Sequence, residues 1–196
     1  MNISAMLSGV GGQGTVLASK LIALSAMQKG LFARTAETIG MAQRGGCVVS
    51  HVRIGEDIHS PMIPLGGADL ILGFEPAEAV RCLPYLKEGG TVVVSAKEVK
   101  PVTAALGGND YSAQEMLSFL QDHAGHAVIV DTAAICEKCG SAKVLNVALL
   151  GAAAATGALG LTLEEMEGAL RKRLPEKFLP MNLEALRLGA KAVLGE

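Results

Sequence analysis

The sequence has no tryptophan, and aromatic residues make up only 3% of its 196 residues. Charged residues are also few, at 18%, and the formal net charge of -2 provides no general attraction to nucleic acid or to anionic lipid. We therefore expect no nucleic-acid partner and no membrane surface. Half of the residues are hydrophobic, so a large share of them must lie in a core or against another protein.

Cysteine is scarce as well. The four cysteines are too few and too unevenly spaced for a secreted disulfide scaffold, and no signal peptide opens the chain, so we expect a cytoplasmic protein. The apolar run over 144–163 approaches the ~20 residues that cross a bilayer. Asn146 and Thr156 interrupt it, and it consists mostly of alanine and glycine. We expect a buried helix there and no membrane span.

Glycine, in contrast, is abundant, with 24 residues. Gly9, Gly11 and Gly14 fit the pattern G-x-G-x-x-G between an apolar strand and a segment with helical periodicity. Such a turn can direct backbone N–H groups toward an anion at the start of a helix, where the helix dipole also favours negative charge. The same glycines could instead serve only the close packing of strand and helix.

A dinucleotide site would need more than these glycines. It needs an acid at the end of the second strand, about 20 residues further on, to hold the ribose hydroxyls. Glu37 lies in that zone, but Arg34 and Thr35 precede it, and the side chain of Gln13 would crowd a turn that faces a pyrophosphate. A stand-alone NAD(P)- or flavin-binding oxidoreductase therefore remains an alternative function.

A second cluster, "QRGG" at 43–46, comes just before a β-branched segment at 47–55 that is typical of a strand. Arg44 on a loop flanked by glycine suits a carboxylate, a phosphate or a carbonyl-rich partner surface, and it could equally be an exposed loop cation. His51, within the strand, is more typical of a histidine with a satisfied hydrogen bond than of a base.

The pair Cys136-x-x-Cys139 raises a third possibility, a thiol-redox or zinc protein. Zinc would require a second cysteine pair, and Cys47 and Cys82 are isolated. The pair follows Asp131 by about one turn of a short predicted helix, a placement more typical of structural cysteines than of a redox site.

Strands and helices alternate along the chain, which predicts a single domain over 1–196. We expect a Rossmann-like three-layer α/β/α fold with a mostly parallel sheet and an antiparallel excursion around residues 47–64. The continuously apolar segments at 68–74 and 91–95 predict strands that are covered on both faces, the second following a turn at Gly89 and Gly90. Ligand or partner chemistry should gather at the carboxyl ends of the strands.

Several ordered segments together resemble a known family: "GVGGQGTVLASKLIA", "MAQRGGCVVSHVRIG", "SPMIPLGGADLILGFEPAEAVR", "LNVALLGA" and "KFLPMNLEALRLG". The family is the small subunit of indolepyruvate:ferredoxin oxidoreductase, which is akin to the gamma subunit or domain of other 2-oxoacid:ferredoxin oxidoreductases. The resemblance extends over nearly the whole chain. It implies a subunit that takes part in the oxidative decarboxylation of a 2-oxoacid to its acyl-CoA.

The resemblance further implies a large partner subunit that carries thiamine diphosphate, magnesium and 4Fe-4S clusters, with coenzyme A as co-substrate and ferredoxin as electron acceptor. This sequence has no C-x₂-C-x₂-C-x₃-C run for a cluster. The resemblance implies no catalytic residue and no metal ligand in this chain. It implies binding or subunit-interface roles for the positions that match the family: Gly9, Gly11, Gly12, Gln13, Gly14, Gln43, Arg44, Gly45, Gly46, Glu75 and Asn146.

Overall fold

The computed structural model describes residues 2–39, 46–99 and 111–195, and within these ranges six strands form one sheet. The strands are β1 (Asn2–Val10), β2 (Phe32–Ile39), β3 (Cys47–Gly55), β4 (Ala68–Gly73), β5 (Leu86–Ser95) and β6 (His126–Val130). Their order across the sheet is β2-β3-β1-β4-β5-β6. Strands β1, β4, β5 and β6 run parallel to one another, whereas β3 is antiparallel to both of its neighbours, β1 and β2.

Helices cover both faces of this sheet, as the alternation of elements predicts. In the described residues they are α1 (Thr15–Gln28), α2 (Pro76–Cys82), α3 (Ala113–His123), α4 (Thr132–Lys138), α5 (Leu145–Ala155), α6 (Leu163–Arg173) and α7 (Leu179–Leu194). Short 3-10 turns lie at Leu83–Tyr85, Ala142–Val144 and Glu176–Phe178. The prediction of a three-layer α/β/α fold with a mostly parallel sheet is confirmed.

Two hydrophobic cores lie on opposite faces of the sheet. Successive side chains of a strand point to opposite faces, so Leu7 enters the core beneath α1 and α5 while Met6 enters the core beneath α2 and α3. Both side chains are fully buried. Because both faces are covered, apolar residues of the inner parallel strands are buried on either side, which explains the long apolar runs of these strands.

The apolar segment that begins at residue 144 is the buried helix α5, in which every residue from Leu145 to Ala154 is buried. The helix ends at Ala155, followed by Gly157 with a positive φ of 74°. Within the described ranges, no helix has both the length and the apolarity that crossing a membrane requires.

Helices α5 and α7 approach each other at two glycines. A Cβ on Gly151 would lie 1.9 Å from the carbonyl oxygen of Leu186, and a Cβ on Gly189 would lie 1.9 Å from that of Ala148. No side chain fits at either position, so the two backbones are in direct contact.

The antiparallel part is narrower than the predicted 47–64. Strand β3 pairs along its length with β1 and β2, from Asn2↔Gly55 to Val10↔Cys47 and from Phe32↔Gly55 to Ile39↔Val48, and it ends at Gly55. The following residues contain Pro61 and Pro64, which lack a backbone N–H, and they form no strand.

The predicted turn at Gly89 and Gly90 is wrong. Both glycines lie within β5, whose pairing with β4 shifts between Ala68↔Leu86 and Leu70↔Thr91. Gly89 has a φ of 71°, so the glycines accommodate an irregularity inside the strand and do not end it.

Candidate functional site

The loop between β1 and α1 lies where the chain changes direction in the sheet. After β1 the chain proceeds to β2 and β3 on one side, and later to β4 on the other. The carboxyl ends of β1 and β4 are therefore adjacent, at the switch point where open α/β sheets bind ligands.

Glycine is required at two positions of this loop because the backbone is left-handed there. Gly12 has a φ of 100°, and Gly14, which precedes the first residue of α1, has a φ of 83°. No side chain caps α1, so its first N–H groups lack the usual side-chain acceptor. The loop thus combines a positive helix end with a backbone that carries no side chain at these two positions.

Gln13 holds this loop by folding its amide inward. Its Oε1 accepts a hydrogen bond of 2.8 Å from the Val10 N–H, and its Nε2 donates one of 2.9 Å to the Phe74 carbonyl. The side chain thereby joins the ends of β1 and β4. Gly9 makes room for it, because a Cβ there would lie 2.7 Å from both Gln13 Oε1 and Phe74 Cβ. The expectation that Gln13 would crowd a turn that faces a pyrophosphate does not hold, because its amide bonds to the ends of β1 and β4 inside the loop.

Asn146 fixes the other end of the loop. This buried side chain lies at the start of α5, and its Nδ2 donates a hydrogen bond of 3.3 Å to the Gly14 carbonyl. Its contact with Gly14 is close, since a Cβ on Gly14 would lie 2.7 Å from Asn146 Nδ2. The sequence separates the two residues widely, and the structure brings them together.

The structure also brings Gly46, the last residue of the second cluster, to the glycine loop. The Gly11 N–H donates a hydrogen bond of 2.8 Å to the Gly46 carbonyl. Gly46 therefore belongs to the same site as the first cluster. Gln43, Arg44 and Gly45 lie outside the described residues.

Glu75 occupies the adjoining position at the end of β4 and is buried. One carboxylate oxygen accepts a hydrogen bond of 3.0 Å from the Glu78 N–H and so caps α2, while the other accepts one from the Tyr111 hydroxyl. Burial, together with this carboxylate, raises the pKa of Tyr111 well above its usual range. Tyr111 gave no signal in the sequence, because it contacts Glu75 only in the folded chain.

A second buried carboxylate, that of Glu78, lies beside the Glu75 cap. Its Oε1 is 3.4 Å from an Arg81 guanidinium nitrogen, and its Oε2 has no hydrogen-bond partner within the described ranges. Burial, and then Glu78, raise the pKa of the Cys47 thiol to about 12, and burial raises that of Cys82 to about 11. Both thiols are therefore protonated and unreactive near neutral pH.

His51 is also committed to an internal contact. Its buried ring accepts a hydrogen bond of 3.2 Å at Nδ1 from the Ile63 N–H, and burial lowers its pKa. The neutral ring that this bond requires is thus the favoured form, as expected for a satisfied strand histidine and not for a base.

The thiol-redox or zinc alternative gains no support from the surroundings of its cysteine pair. Cys136 lies in α4 and Cys139 at its carboxyl end, and burial raises the pKa of both free thiols. In the described part of the chain, no three histidine, cysteine or acidic residues are grouped closely enough to hold a metal ion.

The topology argues against the dinucleotide alternative. In the classic dinucleotide fold, the strand that carries the ribose-binding acid lies next to the first strand. Here β3 lies between β1 and β2, so Glu37 is one strand further away. The Glu37 carboxylate accepts a hydrogen bond of 3.1 Å from the Ser19 hydroxyl, on the face that α1 covers.

The model of one protein family, described as pyruvate ferredoxin/flavodoxin oxidoreductase, matches residues 4–192. The chain belongs to this family. Among its relatives, indolepyruvate oxidoreductase subunit IorB of Thermococcus kodakarensis is 37% identical over 95% of this chain and 94% of its own length. The IorB subunit of Methanothermobacter thermautotrophicus is 38% identical over 96% of both chains.

A solved oxidoreductase structure has the same fold as this chain. The crystal structure of the keto/oxoacid ferredoxin oxidoreductase gamma subunit from Geobacter sulfurreducens matches with a TM-score of 0.72 at 24% identity, over 99% of both chains. The family resemblance indicated by the sequence segments is confirmed by the family model and by the IorB relatives.

Proposed function

We propose that this chain is the small subunit of an indolepyruvate:ferredoxin oxidoreductase. The observation that carries the proposal is the similarity to indolepyruvate oxidoreductase subunits, 37% identity in one case, which extends over 95% of this chain. Because the relatives have nearly the same length, the whole folded unit and not a shared motif is common to them. The substrate would be indolepyruvate or a related arylpyruvate.

The reaction of such an enzyme is the oxidative decarboxylation of a 2-oxoacid to its acyl-CoA, with two electrons passed to ferredoxin. Thiamine diphosphate with magnesium stabilises the carbanion, and iron-sulfur clusters carry the electrons. The residues of this chain do not fit a cluster, since its four cysteines do not form a ferredoxin-type run and only Cys136 and Cys139 are paired in sequence. We assign the thiamine diphosphate and the iron-sulfur clusters to a large partner subunit. We also place the complex in the cytoplasm.

This chain would then contribute a rigid surface at the switch point of its sheet. The Gly11 and Gln13 N–H groups are bonded to the Gly46 and Val10 carbonyls. The other loop amides and the uncapped start of α1 would offer hydrogen-bond donors to an anionic group, such as a phosphate of coenzyme A, or to carbonyl groups of the partner. In this proposal Gln13 and Asn146 position the loop through their internal hydrogen bonds, and Glu75 fixes the adjoining start of α2 by capping it. Gly11, Gly12, Gly14 and the 43–46 cluster with Arg44 would form the binding or interface surface, and the buried Gly9 supports it by leaving space for the Gln13 side chain.

Purification of the chain together with its partner tests the proposal. A large subunit with thiamine and ferredoxin motifs, encoded in a neighbouring reading frame, is expected to copurify with the tagged chain. The complex should reduce ferredoxin when indolepyruvate and coenzyme A are both present, and the isolated chain should not. Turnover by the isolated chain, or a complex that oxidises pyruvate but no arylpyruvate, would contradict it.

Arg44 can be tested in the same assay. Arg44→Ala is expected to impair either assembly of the complex or CoA-dependent ferredoxin reduction. If both are unchanged, Arg44 has neither the binding nor the interface role proposed here.

A further inference from the structure

A groove between α4 and α7 has the chemistry of a docking site. It encloses about 530 Å³ and lies on the side of the sheet that carries α5, away from the α2 and α3 layer. Its lining residues are Ala134, Ile135, Lys138, Glu184, Arg187, Leu188, Lys191 and Ala192. Its floor is therefore apolar, while its rims carry mostly positive charge.

The positive charge is concentrated on two lysines that face the groove from opposite walls. Lys138 comes from the last turn of α4 and Lys191 from the last turn of α7. Arg187 is already engaged, since its guanidinium donates hydrogen bonds of 3.0 and 3.2 Å to Glu167. Lys138 and Lys191 form no ion pair within the described part of the chain, and Glu184 is the one acidic residue that lines the groove.

Such charge is unexpected on a chain whose formal net charge is -2. An acidic occupant would meet complementary charge at both rims and apolar contact at the floor, the combination found in protein–protein interfaces. A nucleic acid would instead need a broad basic surface, which a formal net charge of -2 does not favour.

We propose that this groove docks an acidic segment of the large partner subunit, one that places apolar side chains on Ile135 and Leu188 and carboxylates beside Lys138 and Lys191. The inference rests on the proposed function. A transient electron carrier is the weaker occupant, because the chain has no ferredoxin-type cysteine run with which to exchange electrons at this place. The apolar floor favours a permanent neighbour.

Charge reversal in the assembled complex tests the proposal. Lys138→Glu/Lys191→Glu should weaken binding of the partner subunit about tenfold or more, because each change places like charge against the acidic segment. The wild-type affinity should fall as salt is added, and that of the double variant should depend on salt less steeply. The matched control is Lys20→Glu/Lys172→Glu, which makes the same change in net charge at exposed positions of α1 and α6 and should leave the affinity unchanged.

A photocrosslinking amino acid identifies the occupant. Placed at Ala192, on the rim of the groove, it should capture an acidic segment of the partner subunit. At Gln121, exposed on α3 on the opposite face of the sheet, it should not capture that segment. Each variant is first compared with wild type by circular dichroism and thermal unfolding, and the crosslinks report the site even where the charge-reversed chain folds less well.

Three outcomes would overturn the docking proposal while leaving the subunit assignment intact: unchanged affinity of the groove variant, equal weakening by the control variant, or a crosslink from position 192 to ferredoxin or to a non-acidic segment. Failure of the wild-type chain to copurify with a thiamine-bearing subunit would instead contradict the proposed function itself.

Discussion

The side-chain amide of Gln13 donates a hydrogen bond of 2.9 Å to the main-chain carbonyl of Phe74, a residue 61 positions further along the chain. Together with the bond from the Val10 N–H to Gln13 Oε1, it joins the carboxyl ends of two neighbouring parallel strands. The glycine loop is thus held in place by a side chain from within itself.

Replacement of Gln13 should therefore destabilise the fold. Gln13→Ala removes the partners of the Val10 N–H and the Phe74 carbonyl, and we expect the free energy of unfolding to fall by about 1–3 kcal/mol. Urea denaturation measures the change. Gln121→Ala, at an exposed helical position, should stay within about 0.5 kcal/mol of wild type. Equal stability of the two variants would show that the Gln13 bonds do not hold the loop.

Gly14 is expected to tolerate alanine less well than a glycine with the same backbone conformation. Gly157 has a φ of 74° and open space around it, so Gly157→Ala should cost only the left-handed strain of about 1–2 kcal/mol. Gly14→Ala adds a collision with Asn146, for which we expect about 1–3 kcal/mol more.

A double-mutant cycle assigns the extra cost. If the collision is its source, Gly14→Ala/Asn146→Ala will be less destabilised than the sum of the two single variants. Additive single and double variants would refute the assignment.

Tyr111 should stabilise the fold at neutral pH and lose this effect in alkaline solution. Tyr111→Phe leaves a buried oxygen of Glu75 without its donor, and we expect a loss of about 1–3 kcal/mol at pH 7. Because the pKa of Tyr111 is raised in the folded chain, its contribution is complete below its ordinary pKa of about 10 and decreases as the pH rises above that value.

The measurement is urea unfolding of wild type and Tyr111→Phe between about pH 7 and pH 11. The difference between the two proteins should narrow above about pH 10, whereas Tyr85→Phe should leave the alkaline loss of stability in place. A difference that stays constant over the whole range would contradict the coupling between Tyr111 and Glu75.

The contribution of His51 to stability should have the opposite pH dependence, because it is lost on acidification. Burial lowers its pKa in the folded chain, so its neutral form contributes stability above the ordinary pKa of 6.5, and this is lost as the pH falls below that value. We expect His51→Asn, which can still offer an acceptor to the Ile63 N–H, to lose less stability than wild type between about pH 6.5 and pH 5. His59→Asn, at a side chain that is 88% exposed, should retain the wild-type profile, as measured by thermal unfolding at each pH.

Local patterns predicted the parts of the fold that local physics determines. The helix after the glycine loop and the apolar strands at 68–74 and 91–95 follow from neighbouring residues. The insertion of β3 between β1 and β2 could not be predicted in this way, because strand order depends on contacts across the sheet. The prediction of a turn at Gly89 and Gly90 was wrong for a related reason. The same dipeptide that favours a turn also fits an irregularity in the pairing of two strands.

The residue pattern predicted the glycine turn of the candidate site, whereas Gln13 and Asn146 were named as site residues only through the family resemblance, without their contacts. The turn required glycine, which its sequence shows directly, but the tasks of Gln13, Asn146 and Tyr111 are defined by partners distant in sequence. The sequence identifies a conformation at Gly12 and Gly14, and only the folded chain identifies what surrounds it.

The contact of Gly151 with Leu186 and of Gly189 with Ala148 has a consequence for the opposite side of α7. A methyl group at either glycine would act as a wedge and displace the helix outward, and Leu188 and Lys191 would move with it. The width of the α4–α7 groove thus depends on Gly151 and Gly189, which carry a hydrogen atom where any other residue has a Cβ.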